Sequence, residues 1–304
     1  MTAIISLQID DTLITATPRF MEIKLKELNG AGLLAKPCKK LTTGHPLEFN
    51  GFAITLRNIE TIINQAKQIK KIQLLSKSFT KEQYIAQQAQ DVYIATVSQP
   101  QAAFALSYTV QITNPIFDNA QFLSRCLSWQ QKGKGLKFVN LNLETLQIVA
   151  FTNLSFANNR DHSLQIGYMI VLADLQNNAN IIHWQSVKCR HVTRSILASE
   201  LYTLSLGFNI AATIKSTLDQ IFSSSTYGKV PLSICIDSKS LYNCLVKLGT
   251  TQEKRLTVDL LCLRQSYKRQ EITKILWIKG DKNPADAMTK EKACNALQKL
   301  VDTN

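Results

Sequence analysis

The sequence predicts an α/β (α+β) fold. A mixed five-stranded sheet flanked by helices fills the second half, and a smaller region of hairpins and helices precedes it. Three observations carry this. Leu146–Ser155, Ile166–Ala173 and Asn180–Val187 are strand-like runs with short links, which makes an antiparallel meander. Thr193–Phe222 is then a long helix with Leu197, Leu201, Leu204, Phe208 and Ala211 on one stripe. Finally, Leu232–Ile236 is a short apolar run of strand formers that leads straight into a helix.

In chain order, Ile4–Ile14 has the pattern of a hairpin or strand end around Asp10 and Asp11. Arg19–Asn29 reads as an amphipathic helix stopped by Asn29-Gly30. Leu47–Arg57 alternates like a strand, with Asn50-Gly51 marking a turn or bulge. Ile59–Leu75 is rich in Lys and Gln, a solvated or phosphate-contacting face. Thr80–Thr96, Ala102–Gln111 and Asp118–Gln131 read as helices, and Gly133–Gly135 marks the domain boundary, giving 1–133 and 134–304. After the meander and long helix come the fourth strand with its helix, a helix at about Leu256–Lys268 and a fifth strand at about Ile272–Ile278. A last helix opens near Asp286 and runs to about Leu300.

The chain has 304 residues and a formal net charge of +13, which points to a polyanionic partner, nucleic acid ahead of an anionic membrane. Its seven cysteines form no CxxC pair and its four histidines are scattered, so neither zinc nor a disulfide framework is expected. No secretory leader or membrane span is visible; the expected location is intracellular, cytoplasmic and/or nuclear.

Three carboxylates stand out. Asp237 comes directly after the fourth strand, at the carboxyl end where open α/β sheets bind ligands; its alternative is a plain helix cap. Glu200 shares the apolar stripe of the long helix, which is costly unless the acid is paired, bound to a cation or reaching solvent. Asp286 opens the last helix, where an acid also suits the helix dipole. Together they could converge on a hard cation such as Mg²⁺.

The second half resembles the ribonuclease H domain of copia-type (Ty1/copia) retrotransposon Pol polyproteins. The resemblance covers 136–304. It rests on Val-Ala-Phe-Thr-Asn-Leu-Ser-Phe-Ala (149–157), Ile-His-Trp-Gln-Ser (182–186), Arg-Ser-Ile-Leu-Ala-Ser-Glu-Leu-Tyr (194–202), Cys-Ile-Asp-Ser-Lys-Ser-Leu (235–241) and Asn-Pro-Ala-Asp-Ala-Met-Thr-Lys (283–290), in that order. It implies two-metal hydrolysis of the RNA strand of an RNA–DNA hybrid, with Mg²⁺ or Mn²⁺ at a catalytic set of Asp, Glu, Asp and Asp. Glu200, Asp237 and Asp286 match the last three members. At the first, where the family carries the Asp that holds both metals, this chain has Asn153, and then Leu154. Asn153 brings one neutral carbonyl oxygen and no charge, so cleavage is expected to be weak or lost; Asp161 is the nearest spare carboxylate. A Lys-His-Ile-Asp stretch found in many copia-type elements reads Lys-Arg-Leu-Thr (254–257) here.

The first half resembles the end of the adjoining reverse transcriptase. Leu-Gln-Ile-Asp-Asp-Thr-Leu (7–13) resembles the Tyr-x-Asp-Asp hairpin of the palm. Leu-Ala-Lys-Pro (34–37), Phe-Asn-Gly (49–51), Tyr-Ile-Ala (93–95) and Gln-Pro-Gln-Ala-Ala-Phe (99–104) resemble the palm-to-ribonuclease H connection. Asp10 and Asp11 are then a polymerase remnant, and no independent polymerase activity is expected. The partners implied are the hybrid and the rest of the Pol polyprotein. The alternative is a catalytically inactive nucleic-acid-binding remnant of a decayed retroelement.

Overall fold

The structure is a computed structural model, and it describes residues 3–8, 11–33, 36–155, 163–189, 193, 195–223, 228–247, 253–292 and 294–304. Asp10, Asp161 and His191 lie outside the described residues.

The described part of the first half holds β1 (Ala3–Gln8), β2 (Asp11–Ala16), α1 (Pro18–Gly30), β3 (Leu47–Phe49), β4 (Phe52–Arg57), β5 (Glu60–Asn64), α2 (Ala66–Ile69), α3 (Lys81–Val97), α4 (Ala103–Val110) and α5 (Phe117–Gln130). β1 and β2 pair as a separate hairpin with Gln8 opposite Asp11, and Asp11 is exposed. Asn50 and Gly51 both have positive φ, 44° and 73°, so the expected turn or bulge is a two-residue turn joining β3 to β4. The Lys/Gln-rich stretch from Ile59 folds as β5 and the one-turn α2, which its composition did not reveal. Thr80 caps α3 in a reciprocal capping box with Gln83. α3, α4 and α5 enclose a core of Tyr84, Ile94, Leu106, Leu123 and Leu127.

The second half holds β6 (Leu136–Phe138), β7 (Gln147–Ser155), β8 (Gln165–Ala173), β9 (Ala179–Lys188), α6 (Ile196–Phe222), β10 (Leu232–Ile236), α7 (Lys239–Val246), α8 (Thr257–Lys268), β11 (Lys274–Trp277) and α9 (Asn295–Thr303). Five of these strands form one mixed sheet in the order β11-β10-β7-β8-β9. β7, β8 and β9 are antiparallel, while β10 runs parallel to both β7 and β11. All five residues of β10 are buried, as a central strand covered on both faces requires. Ile148, Ile166, Ile170, Leu201, Leu204, Leu232, Ile234 and Leu241 form the main core between this sheet and α6, α7 and α8.

β6 lies just past the boundary expected from the glycines, yet it pairs with β5 and completes a sheet in the order β3-β4-β5-β6. Two hydrogen bonds also join the halves: the Trp184 indole donates to the Ala95 carbonyl at 3.0 Å, and Gln165 Nε2 donates to Ser107 Oγ at 2.8 Å.

The end of the chain departs from expectation. Asp286 does not open an α-helix. It sits in a 3₁₀ turn, Pro284–Met288, and α9 begins only at Asn295. The turn is short because Ala285, Ala287 and Met288 are buried against the sheet, and a continued helix would lift them away. Among the described residues no helix is long and apolar enough to cross a membrane.

Candidate active site

Each candidate side chain is placed by a different element. Asn153 lies in β7, opposite Gly167 of β8. Asp237 comes directly after β10, and Ser238 caps α7 by accepting from the Leu241 backbone N–H at 3.4 Å. Glu200 is in the first turns of α6, which Ser195 caps by accepting from the Ala198 N–H at 3.2 Å. Asp286 is carried by the 3₁₀ turn.

Two glycines permit the close approach. A Cβ at Gly167 would stand 2.5 Å from Met288 Cβ and 2.7 Å from Thr289 Cγ2, so only glycine lets the Asp286 turn settle on β8. A Cβ at Gly207 would stand 2.6 Å from Thr152 Cγ2, so glycine likewise lets α6 lie close over β7. Asn283 fixes the turn from inside. Its Nδ2 donates to the Thr152 carbonyl at 2.9 Å, and its Oδ1 accepts from the Ala285 N–H at 3.1 Å.

The structure brings Glu200, Asp237 and Asp286 into one electrostatically coupled chain. Burial, reinforced by Asp237, pushes the Glu200 carboxyl up to about 8, and Lys290 partly opposes the rise. Asp237 is raised by burial and, more weakly, by Asp286, against lowering hydrogen bonds from its backbone and Asn283 and the pull of Lys290. Asp286 is engaged twice at the same oxygen. Lys290 Nζ lies 2.5 Å from its Oδ1, and Asn153 Nδ2 donates to that atom at 2.9 Å. Asn153 Nδ2 also donates to Thr289 Oγ1 at 2.8 Å, and that hydroxyl in turn donates to the Asp286 carbonyl at 3.1 Å. These acceptors set the amide's orientation: its nitrogen, a donor only, faces Asp286.

This donor set does not fit a bridged pair of divalent cations. A bridging position needs a carboxylate with lone pairs to share, and here an amide N–H₂ occupies it. A lysine ammonium already neutralises Asp286. Among the described residues, no group of three or more His, Cys, Asp or Glu side chains could hold a metal ion. Glu200 and Asp237 remain as a coupled pair of acids.

Gly167 was not singled out in the sequence, and Asn283, Thr289 and Lys290 stood there only as part of the 283–290 motif, without a role. The i,i+4 spacing of Asp286 and Lys290 was a legible signal for their ion pair. Asp11 stands apart, exposed on its own two-stranded sheet. The buried Cys235, just two residues before Asp237, has its thiol pushed up to about 12 by burial, which makes it a packing group rather than a nucleophile.

No family model matches the chain, and no curated protein does. Among solved structures it is similar to the RNase H1 LC11 isolated from compost by a metagenomic approach. That likeness has 16% identity and a TM-score of 0.36, covering 50% of this chain and 98% of that one. The same enzyme in complex with an RNA/DNA hybrid matches at 16% identity and a TM-score of 0.35, over 50% of this chain and 99% of that one. The RNase H domain of PFV matches at 14% identity and a TM-score of 0.32, over 52% and 91%. The second half of this chain is an α+β unit, a mixed five-stranded sheet with β10 parallel to its neighbours and helices packed on it.

Proposed function

We propose that the chain is the C-terminal part of a copia-type Pol protein, with a reverse transcriptase remnant in 1–133 and a ribonuclease H-like domain in 134–304. In this reading it binds RNA–DNA hybrid through its basic surface, and Asn153 cripples cleavage of the RNA strand. The formal net charge of +13 supports the binding, and the coupled Glu200, Asp237 and Asp286 support descent from a hydrolytic site.

One observation carries the loss of activity: the Asn153 amide nitrogen donates to Asp286 Oδ1 at 2.9 Å. The side chain that should hold cations instead holds a carboxylate by hydrogen bonding. Removing one preorganised electrostatic group typically costs about 10²–10³ in rate. Mg²⁺ or Mn²⁺ would supply Lewis acidity and an activated water in an intact family site; the folded donor set here lacks the bridge for them.

The test is cleavage of a labelled RNA–DNA hybrid in Mg²⁺ and in Mn²⁺ by the natural chain and by Asn153→Asp. The expected result is cleavage by Asn153→Asp at least about 10²-fold faster than by the natural chain, abolished again by adding Asp237→Asn. Equal rates for the natural chain and Asn153→Asp would show that the amide is tolerated and overturn the inactivation argument.

A further inference from the structure

Trp277 closes β11, and strand register sets its position. β10 and β11 pair in parallel with Ile236 opposite Trp277, and the Ile278 N–H donates to the Ile236 carbonyl at 2.9 Å. The next residue after β10 is Asp237, so strand register brings the Trp277 backbone close to the candidate site. Its Nε1–H donates to the Asp237 carbonyl at 3.0 Å, which pins the ring. The loop after β11 stays close: a Cβ at Gly280 would stand 3.4 Å from Asp237 Oδ2. The indole's polar atom is thus already used, and 42% of the residue is still exposed. A large apolar ring at a sheet edge normally turns inward; this one is held outward by a hydrogen bond to the backbone of a candidate catalytic residue. Lys239 Nζ lies over the ring, 5.9 Å from its centroid, so a cation already caps the indole by a cation–π contact.

We propose that Trp277, with Lys239 beside it, is a stacking platform for a base or sugar of the nucleic acid strand that passes Asp237, and so acts as a positioning residue. The proposal deepens the hybrid-binding reading and rests on it. A ring already held by a hydrogen bond loses little freedom when a base stacks on it, which is why pinned aromatics make efficient contacts. Lys239 would contact the strand's phosphate, a charge contact that is salt-sensitive where stacking is not.

The experiment is equilibrium binding of a fluorescein-labelled RNA–DNA hybrid, without divalent metal, over a series of salt concentrations. Trp277→Ala is expected to weaken binding about tenfold or more with an unchanged salt slope, since stacking is worth about 1–3 kcal/mol per base. Trp277→Phe keeps most of the affinity because it keeps a π face. Lys239→Gln lowers the salt slope by about one. Trp129→Phe, which alters the comparably exposed indole of α5, leaves binding unchanged. If Trp277→Ala does not fold, Trp277→Leu takes its place, with Leu losing and Phe retaining affinity. Trp277→Ala, or Leu, binding like the natural chain sinks the platform while hybrid binding stands. A natural chain that fails to bind hybrid at low salt sinks both readings.

Discussion

Asp91 and Glu200 are both carboxyl groups lifted to about 8, one in the helical first half and one in the sheet-based second half. Their surroundings differ in kind. Asp91 is fully buried in α3, and among the described residues neither of its carboxylate oxygens has a hydrogen-bond partner. Desolvation is the whole cause of its shift. The same core holds further unpaired oxygens: Gln130 Nε2 donates to the Asp91 carbonyl and Gln99 Nε2 to the Gln130 carbonyl, and the side-chain oxygens of Gln99 and Gln130 are buried without a hydrogen-bond partner among the described residues. Glu200 is only half-buried, and a second acid raises it further while a lysine lowers it. A raised pKa by itself therefore marks burial. A candidate site is marked by burial together with charges of both signs placed around the same group.

That contrast is sharpest in stability. Asp91 has a folded pKa of about 8 against an ordinary 3.8, so the folded state holds a proton that the unfolded state gives up. The stability this confers is fully present below about pH 4 and is lost progressively until about pH 8. Asp91→Asn removes the penalty of charging a buried carboxyl. It is expected to stabilise the chain by about 2–4 kcal/mol at pH 9 relative to the natural chain, and by much less at pH 4. Denaturant melts at the two pH values check this, and an equal effect at both would mean that Asp91 is not buried as a neutral acid.

Glu200→Gln gives the smaller version of the same behaviour. The window runs from the ordinary 4.5 to about 8, and stability again falls as pH rises through it. The gain at pH 9 without metal is expected to be about 1–3 kcal/mol, less than for Asp91, because the shift starts from 4.5 rather than 3.8 and the side chain is only half-buried. The two acids separate under Mg²⁺ once Asn153→Asp is introduced. Melting temperature should then rise with Mg²⁺, and the rise should vanish with Glu200→Gln yet survive Asp91→Asn. Survival in both variants would remove Glu200 from the cation site.

Lys290→Gln should have the smallest effect. The lysine side chain is 43% exposed, so its ion pair with Asp286 is screened by water and is worth at most about 1 kcal/mol. Its signature is instead a further rise of the Glu200 and Asp237 pKa values, readable from carboxyl chemical shifts in an NMR titration. Unmoved shifts would show that the ammonium does not face the two acids.

Much of this was legible in the sequence, for local reasons. β8 and β10 are apolar runs that only a doubly covered sheet explains, and α6 carries a stripe at helical spacing. Asp237 could be placed at a strand end because Ser238 caps the helix immediately after it. The signal failed where partners are distant in sequence or where local composition misled. Ile59–Leu75 hid β5 among lysines and glutamines. The pairing of β6 with β5 across the glycine run was likewise not visible locally. Asp286 looked like a helix opener, and its turn is short because buried Ala287 and Met288 anchor it over Gly167.

The sequence by itself determined the chain order of the five-stranded sheet's strands and its main helices, the three candidate acids and the amide that stands where a fourth is expected. Those come from periodicity, caps and residue chemistry, which act over a few positions. Only the tertiary structure decided that the Asn153 amide turns its nitrogen to Asp286, that Lys290 closes on the same oxygen, and that Trp277 is pinned outward beside Asp237. Each depends on residues far apart in the chain or on strand register and close packing, and such neighbours are set by the whole fold.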